Sequence, residues 1–179
     1  MSANNQPNYL ESVTRQFLSY KKLADQSIQQ IDPQQLFIQP NENSNSMAVV
    51  IKHMAGNMIS RWTDFLTTDG EKPWRKRDDE FENNVEDKEQ LLKIWEQGWK
   101  VFLDTLGSLK TEDLQRTVSI RNEEHSVMDA INRQLAHYSY HVGQIVYMAK
   151  LLKQTEWNSL SIPKNKSSEY NAKKFSAGK

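Results

Sequence analysis

Residues 126–153, SVMDAINRQLAHYSYHVGQIVYMAKLLK, repeat apolar side chains in steps of three and four. Such steps return to the same face of an α-helix, so the stretch predicts one amphipathic helix from about Ser126 to Lys153. The inward stripe of this helix consists of Val127, Ile131, Tyr138, Val142, Ile145, Ala149 and Leu152. Three other segments of the chain show the same periodicity.

Two of these three segments lie in the first 70 residues. The first starts behind Asn8, a suitable N-cap, and ends at Pro33, which cannot continue a helix. The second starts behind Ser46, also a suitable N-cap, and Gly70 is expected to stop it. Its inward face is marked by Met47, Val50, Met54, Met58, Arg61 and Phe65.

The third segment is expected to run from about Asp87 to Leu109. Between it and the last helix, residues 117–120 alternate in strand fashion and leave room for a short β-excursion. The tail from Ser161 onward is rich in Ser, Asn and Lys, so little of it can be buried. We therefore expect an all-α, four-helix bundle over residues 1–160, followed by a polar tail at 161–179.

Composition excludes several classes of function. Lys plus Arg and Asp plus Glu both number 23, and this zero net charge disfavours nucleic acid as the main partner. The absence of cysteine excludes disulfides, thiolate metal ligands and cysteine nucleophiles. Residues 1–9 lack the basic and apolar regions of a signal peptide, and no apolar run reaches the roughly 20 residues of a membrane helix. We expect a cytoplasmic protein without a membrane partner.

Three of the four histidines can share one metal ion. His137 and His141 are four residues apart, one turn above each other on the same side of the last helix. His53 lies midway along the second helix, at the edge of its apolar stripe. A lone buried histidine is more often a hydrogen-bonded core residue, and HxxxH pairs also arise by chance on exposed helices. The third histidine, on another helix, favours a metal site in a groove between helices.

The other polar clusters are better explained as surface. His125 precedes the last helix and is expected on a loop, as are Glu123 and Glu124, whose charges are more simply solvated than catalytic. The run GEKPWRKRDDEFENN, residues 70–84, is too polar and too aperiodic for a core and is expected to be solvated. In the alternative, this loop folds over the mouth of the bundle and its arginines contact an anionic cofactor.

Five short runs of the sequence are typical of a known family: KHMAGN (52–57), TTDGEKPWR (67–75), AHY (136–138), HVGQI (141–145) and LSIP (160–163). With the histidine of the second helix and the HxxxH motif of the fourth, they resemble the DinB/YfiT-like superfamily of bacterial metalloproteins and one of its uncharacterised subfamilies. The resemblance extends from about Tyr9 to Pro163. It implies a DinB-like four-helix bundle in which His53, His137 and His141 bind zinc, nickel or a similar divalent ion.

The resemblance leaves the reaction open. The superfamily includes S-transferases and an isomerase that use low-molecular-weight thiols, and metal-dependent hydrolases. Three protein ligands on a tetrahedral ion leave one position free, where a thiol or water would be activated. We expect thiol S-transfer first and hydrolysis second, with a non-catalytic metal-binding stress or interaction protein as the alternative. Five Trp and several Met residues are more apolar bulk than a narrow bundle needs, which favours a homodimer.

Overall fold

The computed structural model describes residues 8–82, 84–85 and 87–176. Its four long helices are α1 (Tyr9–Gln30), α2 (Met47–Trp62), α3 (Lys88–Ser108) and α4 (Val127–Lys153). A hairpin of β1 (Thr117–Ile120) and β2 (Glu123–Ser126) precedes α4, and a short helix α5 (Ser167–Ser176) follows it. The all-α fold with a short β-excursion is thus confirmed. Residues 1–7, on which part of the signal-peptide prediction depends, and residue 83 of the charged loop lie outside the described residues.

Each long helix begins at a residue whose side chain accepts a hydrogen bond from the first turn. These N-caps are Asn8, Ser46, Asp87 and Ser126. At Asn8 the bond is reciprocal, because the Glu11 side chain also accepts from the Asn8 backbone. Since capping satisfies backbone donors that the helix itself leaves unpaired, short polar residues fix where all four helices start.

The end of α2 differs from the prediction. The helix stops at Trp62 and does not reach Gly70, because Thr63 is extended and Asp64 adopts a positive φ of 48°. The chain then turns back, and the Gly70 amide donates to the Ser119 carbonyl of β1 at 2.8 Å. The Asp69 carboxylate completes this junction by accepting from the backbone amides of Arg121 and Asn122, both at 2.9 Å. Gly70 therefore marks a loop tied to the hairpin.

The core lies between two helix pairs, α2 with α3 and α1 with α4, which close into one bundle. Aromatic side chains fill its centre: Phe17, Trp62, Trp99, Phe102 and Tyr138. At the α2–α3 crossing the backbones approach closely, since a Cβ on Gly98 would lie 2.8 Å from Ala55 Cα. The main polar group in this part of the core is the Gln134 amide, which accepts a hydrogen bond from the Trp62 indole at 3.3 Å.

The apolar bulk that suggested a homodimer is largely internal. Trp62, Trp95 and Trp99 are fully buried within the single chain. The dimer therefore stays a prediction without support from the tryptophan count. In the tail, α5 is exposed along its whole length. Within the described residues, no helix combines the length and apolar character that crossing a bilayer requires.

Candidate metal centre

His53, His137 and His141 meet where α2 faces α4. One ligand nitrogen from each ring lies within 4.8 Å of the other two. The Nε2 atoms of His137 and His141 are 3.1 Å apart, and the His53 ring centre is 5.5 Å and 5.1 Å from theirs. His53 is 7% exposed, and the other two are half-buried. The structure thus brings together the three histidines named from the sequence.

The spacing of these nitrogens suits a single small cation. Zinc–nitrogen bonds of about 2.0–2.1 Å in a tetrahedron place two ligand nitrogens about 3.3 Å apart. The His137–His141 distance is close to that value, and the 4.8 Å limit for the whole set leaves only small side-chain adjustments. Three neutral imidazoles are a donor set for late first-row ions such as zinc and nickel. Metal binding by this cluster remains a prediction.

Two of the rings are held in the tautomer that a metal ligand needs. The Nδ1 atom of His53 lies 2.9 Å from a carboxylate oxygen of Glu80, and that of His141 lies 2.8 Å from the amide oxygen of Gln144. Because both partners only accept at those oxygens, each Nδ1 carries the proton and each Nε2 offers a lone pair. Such partners also fix the orientation of ligand rings.

His137 is held differently. Its Nδ1 lies 3.1 Å from the amide nitrogen of Gln134, whose oxygen accepts from the Trp62 indole at 3.3 Å. In this arrangement Nδ1 accepts, so Nε2 carries the proton and donates to His141 Nε2. Coordination through His137 Nε2 requires that proton to move to Nδ1 and the Gln134 amide to rotate. His141, His137, Gln134 and Trp62 thus form one continuous hydrogen-bond chain.

Burial keeps two of the histidines neutral. It lowers the pKa of His137 to about 3, helped by the nearby His141, His53 and Arg61. Burial likewise lowers the pKa of His141 to about 4, against the hydrogen bond to Gln144, which acts to raise it. Neutral imidazole is the form that binds metal, so near pH 7 these two histidines need not be deprotonated before they bind an ion.

Most of the charged loop is solvated, as first expected, since Lys76, Arg77, Asp78 and Asp79 are exposed, but the side chains of Arg75 and Glu80 are buried. Glu80 is 7% exposed, and only 4% of the Arg75 side chain is accessible. Arg75 donates two hydrogen bonds to the Glu80 carboxylate, from Nε to Oε1 at 2.8 Å and from Nη2 to Oε2 at 2.9 Å. Burial alone would raise the pKa of Glu80, but the bonds from His53 and Arg75 outweigh burial and lower it. A charged carboxylate thus sits beside His53.

Gly56 of α2 makes room for that carboxylate. A Cβ at this position would lie 2.3 Å from Glu80 Oε1, so no larger residue leaves Glu80 where it is. Farther along the loop, the ammonium of Lys52 donates to the Glu82 carbonyl at 2.8 Å and to the Asn84 side chain. The loop therefore folds over the mouth of the bundle, as in the alternative expectation, while contact of its arginines with an anionic cofactor stays a prediction.

A cavity of about 400 Å³ opens beside the histidine cluster, in contact with His53 and His137. It is lined by His53, Asn57, Arg61, Arg75, Arg77, Arg121, Arg133, Ala136, His137 and Tyr140. Successive steps of four residues along α2, from His53 through Asn57 to Arg61, place one face of that helix in the wall. The cavity gives a small molecule access to the cluster.

Other residues that the sequence singled out lie elsewhere. His125 is on β2, paired with Val118 of β1, and does not join the histidine cluster. Glu123 and Glu124 are exposed on the same strand. Glu80 and Gln144, which contact His53 and His141, were not predicted as site residues. The sequence held two signals of this site. Gly56 lies inside α2 three residues after His53, and Arg61 lies on the inward stripe of the same helix.

Comparison with known proteins places the chain in a family. The family described as "Protein of unknown function (DUF1572)" matches residues 4–166. Among solved structures, a DinB-like protein (YjoA) from Bacillus subtilis superimposes with a TM-score of 0.55 at 17% sequence identity, covering 83% of this chain and 96% of that one. At that identity the likeness concerns the fold alone. No curated protein matches the chain. The chain therefore belongs to the DUF1572 family and has a DinB-like fold, as expected from the resemblance of its histidine pattern.

Proposed function

We propose that this protein is a metal-dependent enzyme of the thiol S-transferase type. The observation that carries the proposal is a cluster of three imidazoles beside an open cavity of about 400 Å³, with His53 and His137 in the cavity wall. Of the described residues, only these three histidines form the cluster of possible ligands. Three ligands with an open side are typical of catalytic sites, whereas structural sites are closed by four.

The fold gives no reason for a structural ion. The aromatic core is buried without help from the histidines, in a chain far longer than the small domains that need a metal to fold. His137 and His141 are half-buried beside that core, where a small molecule can reach them. A metal at this position therefore serves chemistry better than stability.

The surroundings favour a thiol over water as the activated group. Among the described residues that line the cavity there is no Asp or Glu. The nearest carboxylate, Glu80, is held by Arg75 and His53 and is not free to take a proton from water. A divalent ion held by the three imidazoles would act as a Lewis acid and lower the pKa of a thiol at its open side, without a protein base.

The reaction has a simple balance. A carbon–sulfur bond forms between the thiol and an electrophilic carbon, and the bond from that carbon to its leaving group breaks. The leaving group departs with the electron pair, and the thiol proton passes to solvent or to the leaving group. The protein's residues orient the reactants: the histidines fix the reactive side, and the loop 70–82 with Arg75 closes one wall of the cavity.

Cobalt substitution tests the proposal. The cobalt-loaded protein is titrated with small thiols and is expected to develop a sulfur-to-cobalt charge-transfer band. Product formation from the same thiols and model electrophiles is then followed with zinc or nickel. His137→Ala should lose both signals, and His125→Ala should keep both. A cobalt-loaded protein that shows no band with any thiol but hydrolyses esters or amides would replace S-transfer by hydrolysis. Neither activity, with metal bound, would favour a non-catalytic role.

A further inference from the structure

The cavity above the histidines is strongly cationic. Five arginines line it: Arg61, Arg75, Arg77, Arg121 and Arg133. Two of them are neutralised, since Arg75 pairs with Glu80 and Glu71, and Arg121 pairs with Glu71 at 3.2 Å. The other three form no ion pair with any described carboxylate. In a chain of zero net charge, this excess is local and specific to the cavity.

Arg61 is the most unusual of the three. It is only 6% exposed, and its Nε is shielded from solvent without a hydrogen-bond partner in the described part of the chain. Arg75 and Arg133 lie close enough to repel it, and the carboxylate that attracts it, Glu71, is already shared by two other arginines. A buried guanidinium without a partner destabilises a fold, so its presence in a cavity wall points to a ligand that supplies the missing anion.

The position of Arg61 sets where that anion would lie. Arg61 follows His53 by eight residues on the same face of α2, about 12 Å along the helix axis. Side chains on an α-helix generally lean toward its N-terminal end, which for Arg61 is the direction of His53. A short molecule can therefore place its reactive atom at the cluster and its anionic group at Arg61. Arg133 and Arg77, both exposed, add positive charge that attracts such a molecule.

We propose that the ligand of this cavity is a small acid whose carboxylate or phosphate group is bound by Arg61, with Arg133 and Arg77 assisting at the rim. The inference rests on the proposed function, because it names the chemical class of the substrate or thiol co-substrate at the same site. Arg61 is a binding residue here. Its planar guanidinium can grip two oxygens of either anion at once.

Binding of simple acids tests the inference separately from catalysis. Succinate, methyl phosphate and the neutral analogue succinamide are titrated into metal-free and zinc-loaded protein at constant ionic strength, followed by calorimetry and by amide chemical shifts. At least one of the two acids should bind saturably with a millimolar or lower Kd, and succinamide should not. The acid that binds more tightly identifies the preferred anion as carboxylate or phosphate.

Three variants locate the anion site. Arg61→Met should weaken acid binding by at least about 30-fold, the loss expected when a buried charged partner is removed. Its ligand-free thermal midpoint should stay equal or rise, because an apolar side chain of similar size replaces an unpaired buried charge. Arg133→Gln, at an exposed rim position, should weaken binding about threefold. Arg116→Met removes an arginine that does not line the cavity and should leave acid binding unchanged.

The outcomes separate this inference from the proposed function. Acid binding that is unchanged in Arg61→Met and Arg133→Gln overturns the inference, as does equal binding of succinamide or no saturable binding of either acid. Zinc binding and thiol chemistry could still hold in that case. Conversely, Arg61-dependent acid binding by metal-free protein that fails to bind zinc would support the anion site and refute the metal-dependent function. If Arg61→Met does not fold, Arg133→Gln and the neutral analogue still decide the matter.

Discussion

Replacing Glu80 by glutamine should weaken metal binding although Glu80 is not a proposed ligand. The Glu80 carboxylate accepts from His53 Nδ1 at 2.9 Å and fixes both the tautomer and the angle of that ring. Glutamine keeps the shape but offers one acceptor oxygen in place of two, so His53 and Arg75 can no longer both be satisfied. Loss of such an orienting partner lowers metal affinity about 10- to 100-fold, or about 1.4–2.7 kcal/mol.

The same substitution should lower the stability of the metal-free protein. It leaves the almost inaccessible Arg75 side chain without its bidentate partner, a change that costs about 3–5 kcal/mol when nothing else compensates. Glu71 remains 3.3 Å from Arg75, so we expect a loss near the lower end, about 3 kcal/mol. Glu71→Gln is the matched control, because Glu71 contacts Arg75 but no histidine. It should change zinc affinity less than threefold and stability by about 1 kcal/mol.

Two measurements separate the effects on binding and on folding. Zinc affinity is obtained by competition with a chromophoric chelator, and stability by thermal and denaturant unfolding of the metal-free protein. Wild-type zinc affinity in Glu80→Gln, together with a lowered unfolding midpoint, would refute the reasoning, since Glu80 would then hold the loop without orienting His53. Equal losses of affinity in Glu71→Gln and Glu80→Gln would point to loop closure as the common cause.

Three further predictions concern how the site is held. Gly56→Ala should favour the helix by about 1 kcal/mol but displace the Glu80 carboxylate, so zinc affinity should fall as in Glu80→Gln. Gly107→Ala is the control, because a Cβ there meets no atom within 4 Å. It should leave zinc affinity unchanged in the same competition assay. Burial would raise the pKa of Asp69, but hydrogen bonds from Ser119 and from the amides of Asn122, Glu71 and Arg121 hold this pKa well below its usual range. Asp69→Asn should therefore lower the free energy of unfolding in urea by about 2 kcal/mol at pH 7. The loss should shrink as the pH falls below about 4, where the wild-type carboxylate also loses this advantage. The pKa of His137 is about 3 in the folded protein and 6.5 ordinarily, so unfolding of the metal-free protein takes up a proton at pH values between the two. The melting midpoint should therefore fall as the pH is lowered from 7 to 4, and it should fall less steeply in His137→Ala.

Local sequence pattern was sufficient for the starts of the four long helices and for the three histidines. Capping residues such as Asn8 and Ser46 act within one turn, and the HxxxH spacing of His137 and His141 is a property of a single helix. The placement of His53 opposite that pair needed only a second amphipathic helix with its histidine at the edge of the stripe. The caps and the HxxxH spacing depend on neighbours within a few residues, whereas the approach of His53 to the pair follows from the packing of two amphipathic helices.

The parts that were missed depend on contacts between distant segments. Helix α2 ends at Trp62 because residues 63–69 turn back to the hairpin, and the periodicity of Phe65 gave no sign of that turn. Glu80 and Arg75 were expected to be solvated because an ion pair leaves no periodic pattern in the sequence. The contact between Glu80 and His53 joins residues 27 positions apart. Arg61 was counted in an apolar stripe. Its burial makes sense only with the cavity in view.

Metal content of the purified protein tests the central claim most directly. After exposure to zinc and removal of excess, elemental analysis should find one ion per chain in the wild type and in His125→Ala. In His53→Ala, His137→Ala and His141→Ala the content should drop sharply, while circular dichroism still shows a folded helical protein. Wild-type stoichiometry retained in any two of these three variants, or a wild-type protein that binds no divalent ion, would contradict a metal centre formed by His53, His137 and His141.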